Sequence, residues 1–190
     1  MIVILEGANG SGKSTLAKNL SETTGAPILR AFKPNDVDFH FTGKTDLERR
    51  LKRFNVPYNT YVDDLYVAEL LGRLYSRDDN GRIDAILDRS MVSALAHNPA
   101  LNQDEILSLL ELWHGLFGRA VVVYVHMQCE VNVAELRLGE RFPGREPYKM
   151  LARRFSSLYD FIQFGRKTQI DTTSINWAEG YLQARKFILG

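Results

Sequence analysis

Residues 1–15 read Met1-Ile-Val-Ile-Leu-Glu-Gly7-Ala-Asn9-Gly10-Ser11-Gly12-Lys13-Ser14-Thr15. Residues 2–5 are a short apolar run without alternation, the pattern of a strand buried on both faces. The run empties into Gly7-x-x-x-x-Gly12-Lys13-Ser14, and the helix-compatible Leu16-Ala17-Lys18-Asn19-Leu20 follows without a break. Strand, glycine-rich loop and helix in that order are the context of a phosphate-binding P-loop. Glycines let successive backbone N–H groups turn inward at a helix N-terminus and form a concave anion site. Gly7, Asn9, Gly10, Ser11, Gly12, Lys13, Ser14 and Thr15 are therefore the expected phosphate-binding set. Lys13 supplies an ammonium for the β- and γ-phosphates, and the Ser14 hydroxyl is placed to hold Mg2+. This stretch names binding of a nucleoside triphosphate, with ATP and Mg2+ as the expected cofactors.

A chain of 190 residues is long enough for one sizeable α/β core and short for two ordinary domains, so a single domain over residues 1–190 is expected. Hydrophobic content of 45% and charged content of 25% are those of a globular protein. A net charge of +1 argues against a broad nucleic-acid surface. The single cysteine, Cys129, excludes an intramolecular disulfide, suits a reducing cytoplasm and reads as a packing residue. The apolar start lacks a charged segment before it, so no signal peptide is expected, and no apolar run reaches membrane-spanning length.

Further along, strands and helices alternate. Residues 26–32 read as a second strand, 33–43 as a loop, 44–54 as a charged helix and 58–75 as a longer one after Pro57. Asp78-Asp79-Asn80-Gly81 is a turn. Residues 83–88 form a third strand, followed by helices at 90–97 and 104–116. The valine-rich residues 120–127 are the most apolar strand, as a buried parallel strand should be. A helix at 131–138 leads into a loop with two glycines and a proline, then a helix at 148–164, a last strand at 168–171 and a closing helix at 174–189. Five strands alternating with helices imply a three-layer α/β fold: a parallel sheet with helices on both faces. Ligands then gather at the carboxyl ends of the strands.

At the end of the third strand stands Ile86-Leu87-Asp88-Arg89-Ser90-Met91-Val92-Ser93-Ala94-Leu95-Ala96. This stretch resembles the signature of the thymidylate kinases, from which His97 and Asn98 depart where that family carries Tyr-Gln. Leu5-Glu6-Gly7 through Thr15 is also similar to that family's loop, with Asn9 in place of an aspartate beside the acceptor. Ile170-Asp171-Thr172-Thr173-Ser174-Ile175 resembles the segment that borders the adenine, which makes Thr172 a cofactor-binding candidate. The deoxynucleoside kinases share the architecture, with Glu-Arg-Ser where this chain has Asp88-Arg89-Ser90. The resemblance implies a P-loop kinase fold with a lid, a nucleotide or nucleoside substrate and, for assembly, a homodimer.

Chemistry supports roles for these residues. Arg89 can fork onto a phosphate of the acceptor, and Asp88 can orient it, hold a Mg2+-bound water or accept a proton. A surface ion pair is the plain alternative. Arg137, Arg141 and Arg145 recur every four residues, and on a continuing helix their guanidinium groups would share one face. They resemble the lid of nucleotide kinases, here about 137–147, whose arginines stabilise charge on the transferring phosphoryl group. Arg141 leads, then Arg137, then Arg145; a solvated basic loop is the alternative. Arg30 and Lys33 follow the second strand and join Arg89 and His97 as acceptor-binding candidates. Lysine rather than a carboxylate at position 33 favours an anionic acceptor over a hydroxyl that needs a base, although Asp36 or Asp88 could serve as one. Tyr58, Tyr61 and Tyr66 read first as packing residues, as do Trp113 and Trp177. His40, His114 and His126 lack metal-ligand spacing. The basic run at 49–53 reads as a solvated helix face. Three functions follow, in order: transfer of the ATP γ-phosphoryl group to a nucleoside monophosphate; transfer to a hydroxyl of a deoxynucleoside or of a modified base in DNA; and nucleotide-dependent binding without transfer.

Overall fold

The computed structural model describes residues 1–30, 62–75, 81–173 and 177–190. The expectations for 31–61 and 76–80, including Lys33, Asp36, His40, Tyr58, Tyr61 and the basic run, lie outside these residues, as do the side chains of Tyr66 and Trp177.

Five strands, β1 (Ile2–Glu6), β2 (Ile28–Arg30), β3 (Ala85–Asp88), β4 (Val122–Gln128) and β5 (Arg166–Asp171), form one parallel sheet in the order β2-β3-β1-β4-β5. Seven α-helices accompany them among the described residues: α1 (Lys13–Thr24), α2 (Val62–Leu74), α3 (Met91–His97), α4 (Gln103–Leu116), α5 (Val131–Leu138), α6 (Arg145–Asp160) and α7 (Trp177–Leu189). None of the described helices is long and apolar enough to cross a membrane.

Burial explains why β1 shows no alternation. Its residues face two cores at once. Ile2 and Ile4 join Leu87, Tyr124 and the inner sides of α2, α3, α4 and α6. Val3 and Leu5 join Ile86, Val123 and Val125 beneath Leu16, Ala17 and Leu20 of α1 and Ala184 and Ile188 of α7. The chain moves outward from β1 to β2 and later crosses over β1 to reach β4, so strand order reverses beside β1. Such a switch point opens a crevice at the carboxyl ends of the strands, and β1 delivers the glycine loop there.

Several boundaries differ from the sequence reading. β5 begins at Arg166, two residues early, because an edge strand tolerates charged side chains whose ends find partners. Arg166 donates to Phe187 O at 2.8 Å, and Lys167 Nζ donates to Ile162 O at 2.8 Å while lying over the Tyr159 ring. α6 begins at Arg145 and ends at Asp160, rather than spanning 148–164. Tyr148, Phe155 and Leu158 give it one buried side. α4 starts at a capping box in which Asn102 Oδ1 accepts from Glu105 N and Glu105 Oε2 accepts from Asn102 N.

Candidate active site

The glycine loop is shaped by close approach to β4. Gly7 has φ of 135°, and a Cβ there would lie 1.9 Å from Met127 O, so only glycine lets the chain pass. Beyond it, the N-terminus of α1 faces a cleft of about 690 Å3 lined by Asn9, Gly10, Gly12, Lys13, Ser14, Thr15, Arg89, Arg137, Leu138, Arg141 and Thr172. Gly7 and Ser11, expected in the phosphate-binding set, are not in that lining. Ser11 is fully buried and braces the loop from behind. Lys13 Nζ donates to Ala8 O at 2.8 Å and to Ser11 Oγ at 3.3 Å. Burial, reinforced by the nearby Arg89 charge, lowers its pKa to about 8. An anion placed between Lys13 and Arg89 would relieve that repulsion.

The tip of β3 carries the second half of the cleft. Ser14 Oγ donates to Asp88 Oδ2 at 2.7 Å, and Arg30 Nε lies 3.7 Å from the same oxygen because β2 sets Arg30 beside Asp88. Asp88 Oδ1 is buried and has no hydrogen-bond partner among the described residues. A hydrated divalent cation fits this pair: Ser14 offers an oxygen ligand, and a metal-bound water would satisfy Oδ1.

Arg89 is the one non-glycine residue of positive φ among those described, at 88°. Such a conformation costs about 1–3 kcal/mol and persists only where neighbours enforce it. They do so here: Arg89 N donates to Leu5 O at 3.1 Å, and the side chain is held by Asn9 Oδ1 from the glycine loop and by Ser93 Oγ at 3.3 Å. Beneath Arg89 sits Glu6, fully buried at the end of β1. Its Oε1 accepts from Ser90 N, Ser90 Oγ at 2.7 Å and Ser93 N at 3.2 Å; its Oε2 accepts from Ser93 Oγ at 2.6 Å. Burial pushes the Glu6 carboxyl above its usual range, opposed by these hydrogen bonds and by Arg89 and Lys13. His126, next to Glu6 in the sheet register, is held down to about 4 by burial and by Lys13.

The three arginines expected to form a lid do not share a face. α5 ends at Leu138, Gly139 turns the chain with φ of 54°, and Gly139–Arg141 is a single 3-10 turn before α6. Arg137 folds inward: Nη1 donates to Gly10 O at 3.0 Å and Nη2 to Thr172 O at 2.7 Å. Arg141 is exposed at the cleft mouth, whereas Arg145 pairs with Glu135 at 2.9 Å, outside the lining. Thr172 Oγ1 donates to Ser11 O at 3.0 Å, joining the segment after β5 to the glycine loop. His97 lies away from the cleft, its Nδ1 2.7 Å from Ser93 O and its ring edge-on to Phe155. Cys129, half-buried, has Sγ 3.2 Å from Tyr148 Oη.

Glu6, Ser93 and Leu138 are site residues that the chemistry of the motifs did not single out. A lone carboxylate closing an otherwise apolar strand was the available signal for Glu6.

No family model matches the sequence, and no curated protein matches it. Solved structures do. The deoxyadenosine kinase from M. mycoides aligns with a TM-score of 0.56 at 12% identity, over 98% of this chain and 97% of that one. The YorR protein from Bacillus subtilis, in complex with phosphorylated GDP, aligns with a TM-score of 0.60 at 16% identity, over 99% and 95%. For the thymidylate kinase from Candida albicans the values are 0.57 and 16%, over 98% and 90%. At these identities the likeness is one of fold: the chain has the three-layer α/β fold of P-loop kinases.

Proposed function

We propose that the protein is an ATP-dependent phosphotransferase, similar to the thymidylate kinases, that moves the γ-phosphoryl group of ATP to a nucleoside monophosphate. The observation that carries this reading is the charge of the cleft. Lys13, Arg89, Arg137 and Arg141 line it, and no aspartate, glutamate or histidine does among the described residues. An acceptor phosphate is already an anion. Its oxygen attacks the γ-phosphorus as the bond to the bridging oxygen of ADP breaks, and no proton has to leave. A hydroxyl acceptor would have to lose one, and among the described residues the lining offers no carboxylate or imidazole to take it, Asp88 beside it being engaged by Ser14 and Arg30.

In this reading Lys13 and the loop amides hold the triphosphate, Arg89 holds the acceptor phosphate, and Arg137 and Arg141 surround the transferring group, whose charge spreads over its equatorial oxygens. Mg2+ on Ser14, with Asp88 engaged through water, would supply charge neutralisation at the β- and γ-phosphates. Thr172 borders the nucleotide. Residues 1–190 act as one domain with the lid at about 137–147.

The test is transfer of labelled γ-phosphate from ATP to a panel of nucleosides, nucleoside monophosphates and DNA carrying modified bases. Transfer to a monophosphate is expected, with Lys13→Ala and Arg89→Ala each lowering kcat/KM by about 10³-fold while circular dichroism stays unchanged. Transfer only to a hydroxyl, or wild-type turnover in either variant, overturns the reading.

A further inference from the structure

We infer that Glu6 is the positioning residue for Arg89: through Ser93 it sets the direction of the hydrogen bonds that hold the guanidinium at the acceptor side of the cleft. The inference rests on the reading that Arg89 binds the acceptor phosphate.

Donor and acceptor chemistry leaves the relay only one polarity. A guanidinium donates and never accepts. Arg89 Nη1 therefore donates to Ser93 Oγ, and that hydroxyl must spend its single proton elsewhere. It does so on Glu6 Oε2, at 2.6 Å. Glu6 Oε1 is committed to three donors, two of them the backbone N–H groups of Ser90 and Ser93. Both oxygens thus act as acceptors, and the chain of bonds runs from Arg89 through Ser93 to Glu6 without a donor facing a donor. The same carboxylate ties down Ser90 and Ser93 in the first turn of α3, directly after the strained Arg89 backbone. Glu6 does not line the cleft, so it reaches the acceptor through Arg89 and not by contact.

Glutamine at position 6 is nearly isosteric and reverses that polarity. Its carbonyl must occupy the Oε1 position, because an amide nitrogen there would face two backbone donors. The NH2 group then points at Ser93 Oγ, so the hydroxyl proton loses its acceptor and the relay loses the negative charge behind it. The bond from Arg89 to Ser93 Oγ weakens with it. Without the Ser93 hydroxyl, the exchange at position 6 has no path to Arg89.

The experiment measures KM for ATP and KM for the fastest of the common nucleoside monophosphates in the wild type, Glu6→Gln, Ser93→Ala and the double variant. Glu6→Gln is expected to raise the acceptor KM by about threefold with the ATP KM within about twofold. Ser93→Ala should raise it by about threefold, the loss of one weak hydrogen bond. The double variant should stay within about twofold of Ser93→Ala alone rather than multiply the two effects, a non-additivity that general loosening of the fold would not produce. An unchanged acceptor KM in Glu6→Gln, or a double variant in which the two effects multiply, overturns the inference. Should Glu6→Gln fail to fold, Ser93→Ala decides alone, and an unchanged acceptor KM in it is equally fatal. If the wild type uses no monophosphate, or Arg89→Ala leaves the acceptor KM unchanged, the proposed function falls and this inference with it. Failure of Glu6→Gln alone leaves that function standing.

Discussion

The burial of Lys13 carries a cost to stability. The residue is 4% exposed, its ammonium is bonded to the loop's own carbonyl, and its pKa is lowered to about 8. The unfolded chain therefore holds a proton that the fold surrenders between about pH 8 and 10.5, and stability contributed at this site rises with pH over that interval. Relative to Lys13→Met, the ligand-free wild type should gain about 3 kcal/mol between pH 7 and 10.5, read by urea unfolding. Parallel stability curves for the two proteins would exclude the mechanism. His114 and His126 act on the acid side. Both are held down to about 4 by burial, so the unfolded chain binds protons that the fold refuses, and stability falls as pH drops from 6.5 towards 4.

Among the elements, the segment from Arg137 to Arg145 and the packing of α2 on α4 show where local pattern stops being informative. The four-residue spacing of Arg137, Arg141 and Arg145 is real, but Gly139 ends the helix that would have aligned them: Arg137 turns inward, Arg145 pairs with Glu135 and Arg141 is exposed at the cleft mouth. The P-loop was legible because every requirement lies within residues 2–15, glycines included. Glu6 was not, because Ser90 and Ser93, its partners, become neighbours only when β1 and β3 pair. A similar close approach is hidden at Gly72 in α2, where a Cβ would lie 2.0 Å from Leu116 O at the end of α4. The clash is with backbone, so the helices must part. Gly72→Ala should destabilise by about 1–3 kcal/mol despite alanine's better helix propensity. A rise in unfolding midpoint would show that no such contact exists.

For the molecule as a whole, the two cores divide the sheet's faces, and the larger holds an aromatic cluster. Trp113 is fully buried, with ring centroids 5.4 Å from Phe117 and 5.2 Å from Phe164. Trp113→Ala should cost about 3–5 kcal/mol, whereas Leu136→Ala, at a side chain 85% exposed, should stay within about 0.5 kcal/mol. Equal effects in denaturant titrations would contradict this division of core and surface. Over the described residues, the order of strands and helices, the parallel sheet and the glycine loop after β1 were already written in the chain. Each depends on short-range periodicity and on backbone freedom at a few glycines. Which side chains meet across the cleft was decided by tertiary structure alone. Glu6 stands 84 and 87 residues from Ser90 and Ser93, and Arg137 stands 127 from Gly10. Contacts of that span follow from the register of β1 against β3 and from the place where α5 ends, which no local pattern records.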